Sequence, residues 1–260
     1  VNQRAEKARS RRLPMGRAGV AAMRTAGVMT AVALVVGCGG SDPETDDRAE
    51  AAPPATSESA AASPSALRAE DFVLTEGPET AGFTGTPPAP DSEESADLRQ
   101  VAACLKIPET ALETDAAALD HARGMQFAYQ GARFPKVSST ASILPADVVG
   151  SDRAIFEKDN FASCLGQFLD QEIAGTVPGG TADIVSAEEP ATLPPGATGA
   201  VDAVAVLSDA SGKANVFYTF VFVLEDQVES TLMLANVGSP TPPQIVNAMV
   251  GQVAEKVHNQ

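Results

Sequence analysis

The stretch NVFYTFVFVLE, Asn215 to Glu225, restricts the fold more than any other part of the chain. Its β-branched and aromatic residues favour a strand. At a period of two it puts Val216, Tyr218, Phe220, Phe222 and Leu224 on one face, and Phe217, Thr219, Val221 and Val223 on the other. An antiparallel strand that is apolar on both faces must be covered on both sides. AVDAVAVLS before it and QVESTLMLANV after it also read as strands, joined to it by DASGKA and Glu225-Asp226. Such short connections imply an antiparallel meander. Thr241-Pro242-Pro243 then opens a closing helix whose buried stripe is Ile245, Val246, Met249, Val250, Val253 and Val257.

The upstream pattern supplies further covering pieces. PSALRAEDFVL is expected as a short helix with Pro64 at its first position, docking Leu67, Phe72, Val73 and Leu74. TEGPETAGFTGTPPAPDSEE reads as a long loop. SADLRQVAACLKI reads as a helix capped by Ser95, with Leu98, Val101, Ala102 and Leu105 on one side and Pro108 beyond its end. ETALETDAAALD reads as loop or short helix, which leaves His121 at a loop. GMQFAYQ, PKVSSTASIL and TADIVSAEE read as strands. ADVVGSDRAIFEKDNFASCLGQFLDQEI reads as one broken helix or two, with Asp159 or Asn160 capping the second and Phe161, Cys164, Leu165, Phe168, Leu169 and Ile173 as its stripe. The expected fold class is α+β: one antiparallel sheet of about five or six strands packed by helices. Residues 64–260 are long enough for one sizeable core.

The N-terminal part has a different character. Thr25 to Gly37 is uncharged, and it is shorter than the ~20 apolar residues a spanning helix needs. It matches a signal-peptide core, preceded by seven basic residues against the single acid Glu6. Val35-Val36-Gly37-Cys38 resembles a bacterial lipobox, with Cys38 as the cysteine that is acylated and becomes residue one. An ordinary cleaved signal and an uncleaved anchor are the other readings. Ser10-Arg11-Arg12 hints at twin-arginine export, although Pro14 departs from that motif; the general secretory route is the default. Val1 fits a non-ATG start, and Met15 or Met23 would give a more compact signal. Residues 38–63, rich in Ala, Pro, Ser and acid, cannot bury enough apolar surface to order themselves. They read as a tether, against a helix that Pro43, Pro53 and Pro54 would break.

Without residues 1–37 the chain has 11 basic and 33 acidic residues, a formal charge of about −22. Such a surface repels nucleic acid and anionic head groups. Attachment to the cell membrane, at its extracytoplasmic face, then rests on the diacylglycerol and acyl chains of Cys38. Two cysteines remain, Cys104 and Cys164. In an oxidising setting they read as a disulfide across 59 intervening residues. Two buried free thiols or a redox pair are the alternatives, the latter without a Cys-x-x-Cys motif.

Recognisable catalytic and metal motifs are absent from the sequence: no Gly-x-Ser-x-Gly, His-Glu-x-x-His, EF-hand, Walker or Rossmann pattern occurs. No cofactor, catalytic residue or metal ligand is expected. One charge asymmetry remains. Arg123, Arg133, Lys136, Arg153 and Lys158 share a stretch with only Asp147, Asp152 and Glu157. They form either a site for an acidic ligand or a solvated face that balances nearby acids. Phe127, Tyr129, Phe134, Phe217, Tyr218, Phe220 and Phe222 either pack the core or line an apolar pocket.

The order of features carries a resemblance. A lipobox and acidic tether precede a helix with Cys104-Leu105, then VSSTASIL, then Cys164-Leu165 in DNFASCLGQFL, then YTFVFVLEDQVESTLMLANVG and a Pro-initiated helix. This resembles actinobacterial sensor-domain lipoproteins and the extracellular sensor domain of the mycobacterial serine/threonine kinase H. The resemblance spans about residues 66–260. It implies helices flanking an antiparallel sheet, a disulfide-braced cleft and no enzymatic activity. That domain carries two disulfides, whereas this chain has cysteines for one. The expectation is a non-catalytic envelope lipoprotein that binds a small ligand or an envelope protein. A lipid or glycolipid carrier and an enzyme with an unrecognised site are the alternatives.

Overall fold

Val216 and every residue from Phe220 to Leu224 are buried inside an eight-stranded antiparallel sheet. The structure is a computed structural model that describes residues 67–88, 98–112, 117–130, 134–174, 177, 179–210 and 212–260. The stretches read as signal peptide (1–37) and tether (38–63, with Cys38), together with Ser95 and Arg133, lie outside the described residues. The chain runs β1 (Phe83–Thr86), α1 (Arg99–Leu105), β2 (Asp120–Arg123), β3 (Gln126–Tyr129), β4 (Lys136–Ile143), α2 (Ala146–Phe156), α3 (Phe161–Ile173), β5 (Thr181–Glu188), β6 (Gly199–Asp209), β7 (Gly212–Glu225), β8 (Val228–Val237) and α4 (Pro243–His258). Short 3-10 turns lie at Ala69–Phe72, Pro78–Thr80 and Glu109–Ala111. The strand order is β1-β3-β4-β8-β7-β6-β5, and β2 pairs with β4 beyond the end of β3.

The α+β class and the β6-β7-β8 meander are as expected, but the sheet has more strands than the sequence suggested. β1 falls inside the stretch read as loop, and β2 takes up His121, also read as loop. β2 and β3 are two halves of one path, broken at Gly124-Met125. A Cβ on Gly124 would lie 2.4 Å from Ser139 Oγ and 3.2 Å from Leu74 O, so only glycine fits there. The segment around Phe72 forms a single 3-10 turn rather than a helix, and α1 starts at Arg99. The broken-helix segment is two helices. Asn160 stands at the N-cap of α3, but its side chain makes no capping bond and reaches Cys104 O (3.4 Å) and Cys164 Sγ (3.5 Å) instead.

Each face of the sheet has its own cover. On one face α4 buries Val246, Met249, Val250, Val253 and Val257 against Val221, Val223, Leu232 and Leu234. The segment 67–80 lies beside it as a strap. Ser230 Oγ donates to Phe72 O (3.0 Å), Leu74 N donates to Ser139 Oγ (2.9 Å), and Lys256 Nζ donates to Val73 O (2.7 Å). On the other face α2 and α3 pack on β7, β6 and β5, and α1 packs on α3. Phe156 stacks on Phe222 with centroids 4.3 Å apart, and Phe161 meets both rings edge-on. α3 approaches β5 closely because Gly166 leaves room for Ala187. Asp170 Oδ1 accepts from Ile184 N (2.6 Å), where the β5–β6 register shifts. Cys104 and Cys164 form a disulfide, Cα atoms 5.6 Å apart, that joins α1 to α3.

Candidate functional site: a polar shelf beside α2

The strand register builds the site. β4 pairs with β8 so that Ser142 faces Glu229, Thr140 faces Thr231 and Ser138 faces Met233. β2 adds His121 beside Ser142 and Arg123 beside Thr140. All of these share the face that carries α2 and α3, because Leu224 lies beside Glu229 and Phe222 beside Thr231. The three helices on this face pack over β5, β6 and β7, while Ser138, Thr140, Ser142, Glu229, Thr231, Met233, His121 and Arg123 are only half-buried. The result is a shelf of hydroxyls and charges along β2, β4 and β8, beside a helical wall.

Two groups fix the wall to the shelf. Asp152 of α2 is 4% exposed and hydrogen-bonds to Glu229. Burial raises its carboxyl from the ordinary 3.8 to about 6; the bond to Glu229 opposes this more weakly. Among the described residues its Oδ2 has no hydrogen-bond partner. The next residue, Arg153, donates from Nη2 to Leu224 O (2.6 Å) and lies 3.9 Å from Glu225. On the shelf itself, His121 Nδ1 is 3.1 Å from Ser142 Oγ. At the far end Lys136 lies opposite Ala235, which lies opposite Tyr218. Burial raises the Tyr218 hydroxyl above its ordinary value.

Neither a protein-family model nor a curated protein matches this chain. Solved structures do. The fold is similar to the extracellular domain of PknH from Mycobacterium tuberculosis, at 13% identity over 74% of this chain and 96% of that one, with a TM-score of 0.43. It is also similar to LpqN, involved in cell envelope biogenesis of Mycobacterium tuberculosis, at 12% identity over 72% and 79%, with a TM-score of 0.29. The kinase ectodomain that the sequence resembles is therefore among the structural neighbours.

The expected cation cluster is distributed over three places. Arg123 and Lys136 share the shelf face, though four residues of β4, about 13 Å, separate Lys136 from the position opposite Arg123. Arg153 is engaged at the β7–β8 turn, where Glu225 also lies 3.7 Å from His258. Lys158 stands half-buried in the α2–α3 connection. Among the aromatics, Phe127, Phe220 and Phe222 are core residues. Tyr129 is 37% exposed and packs edge-on against Phe83. The sequence reading missed Ser142, Glu229 and Asp152 as site residues. A signal was present in KVSSTASI, where every second residue is Lys, Ser or Thr, but the partner strands that complete the row cannot be read from it. Among the described residues no group of three or more His, Cys, Asp or Glu side chains is placed to hold a metal ion, and no helix is long and apolar enough to cross a membrane.

Proposed function

We propose that the chain is a non-catalytic lipoprotein, anchored through Cys38 to the outer face of the cell membrane, and that its domain binds a polar ligand or a short polar segment of an envelope protein on the shelf. The observation that carries this reading is the half-buried row His121-Ser142-Glu229 with Arg123-Thr140-Thr231 beside it. Such a row sets the hydroxyls of Thr140, Ser142 and Thr231 on a rigid sheet, over the buried polar atoms His121 Nε2, Arg123 Nε and Nη2, and Glu229 Oε2. Hydroxyls suit a polar ligand better than acyl chains, so the shelf favours ligand binding over lipid carriage.

The His121–Ser142 hydrogen bond supports a second reading, a hydrolytic serine. Two features weigh against it. Ser142 lies within a strand paired on both sides, by His121 of β2 and Glu229 of β8. A nucleophile of that kind needs an exposed turn and N–H groups free to hold an oxyanion. Glu229 also flanks the serine rather than the imidazole that an acid would orient.

Native mass spectrometry of the protein extracted from its own membrane tests the proposal. Wild type is expected to carry a reproducible adduct that Thr140→Phe loses, with the domain still folded by circular dichroism. An adduct retained by Thr140→Phe places binding elsewhere and overturns the shelf. Covalent labelling of Ser142 by a fluorophosphonate, abolished in His121→Gln, would favour the hydrolytic reading.

A further inference from the structure

We propose that Asp152 and Glu229 form a proton-dependent latch fastening α2 to β8, tight when the pair holds a proton and loosened when both carboxyls are ionised. The geometry is the starting point. Asp152 is buried on the inner side of α2, and its hydrogen-bond partner is another acid. One proton between two such groups makes a charge-assisted bond. With no proton, two anions face each other across a dry interface, and Asp152 Oδ2 has no donor to relieve it.

The other fastenings of α2 do not depend on pH in the same way. Arg153 holds Leu224 O through its guanidinium. The Phe156–Phe222 stack holds the C-terminal end. The N-terminal end begins at Pro145 without a side-chain cap and includes the exposed Gly150. Val149 is buried in the core, so loosening the latch leaves the first two turns held by this apolar contact while the last turn stays docked through Phe156.

The surrounding charges are few. Among the described residues, β2 presents His121 and Arg123, and α2 itself contributes Arg153 and the exposed Asp147. β4 presents the hydroxyls of Thr140 and Ser142, and β7 presents Leu224 and Phe222 and, at its end, Glu225, 3.9 Å from Arg153. An imidazole titrates in a neighbouring range, so the test has to separate His121 from the pair.

The sign follows from linkage. Asp152 has a folded value raised from 3.8 to about 6. The fastening is complete below about pH 4, is lost as pH rises towards 6, and changes little above that. Control of access to the shelf by α2 rests on the binding reading; the latch does not.

Amide hydrogen exchange at pH 4 to 6.5, corrected for intrinsic rates, tests it without any ligand. In wild type the opening constant of residues 149–152 is expected to rise on the order of a hundredfold over that range, beyond any change at Val250 and Val253 of α4. In Asp152→Asn the excess should vanish. An excess that persists in Asp152→Asn assigns the effect to His121 or another group and overturns the latch. So does wild-type α2 exchange that only follows α4. Carboxyl 13C titration of wild type needs no variant: one carboxyl of the pair should titrate near 6, and ordinary values for both refute the proposal. A shelf without ligand beside a pH-dependent α2 removes only the binding reading; a ligand-bearing shelf beside a pH-independent α2 removes only the latch.

Discussion

β4 belongs to two different surfaces. Its Val137, Ser139, Ala141 and Ile143 are all buried under α4 and the strap, whereas Lys136, Ser138, Thr140 and Ser142 on the opposite side are all half-buried. On the α4 side even the polar atoms serve closure, since Ser139 and Ser230 hold the strap backbone. On the α2 side the apolar packing covers β5, β6 and β7 and reaches β8 through Met233, and the polar row lies beside it. One strand thus separates a fully closed apolar face from a half-buried polar one. Hydrophobic burial dominates the first, and the second contributes little to folding because its hydroxyls exchange water for protein partners at small net gain.

The largest test of this contrast concerns the helix layer beside the shelf. That layer is braced covalently, so replacing Cys104 and Cys164 together by Ala should cost about 4 kcal/mol in the chain-entropy model, read as a shift in the urea midpoint. A loss below about 1 kcal/mol would mean that the aromatic contacts alone hold the layer. Leu232→Ala, on the α4 face, should cost about 3 kcal/mol by the same measurement. Gly124→Ala forces β2 and β3 away from Ser139 and Leu74, and about 2 kcal/mol is expected. Ser138→Ala, on the shelf, should stay within about 0.5 kcal/mol. A Ser138 effect as large as that of Leu232 would break the comparison, because the shelf would then be part of the core.

The sheet was legible where apolar residues fill both faces. β7, β8 and α4 lie where the pattern placed them, since few other arrangements bury Val216 to Leu224 and the stripe Val246–Val257 together. β2 was not legible. Of its four residues only Ala122 packs against the α4-side core, while His121 and Arg123 belong to the shelf and make the segment read as loop. β1, FTGT, is short, half-buried and followed by prolines, so its strand character comes from pairing with β3 rather than from its own residues. The shelf was half legible. Alternation along β4 is visible in the sequence, but which strand stands beside it depends on pairing over long separations. Asp152 looked like one acid among many, and only its burial against Glu229 sets it apart.

The strap has a mechanical consequence. The chain enters the described domain at Leu67 and is at once tied down, at Ala69 by Asp120, at Phe72 by Ser230 and at Val73 by Lys256. A pull on the preceding segment is therefore resisted by bonds to β2, β8 and α4, on the side of the sheet away from the shelf. Tension arriving through the N-terminal segment would be borne at Asp120 and Ser230, the chain neighbours of His121 and Glu229, so the load path runs along the reverse face of the strands that form the row.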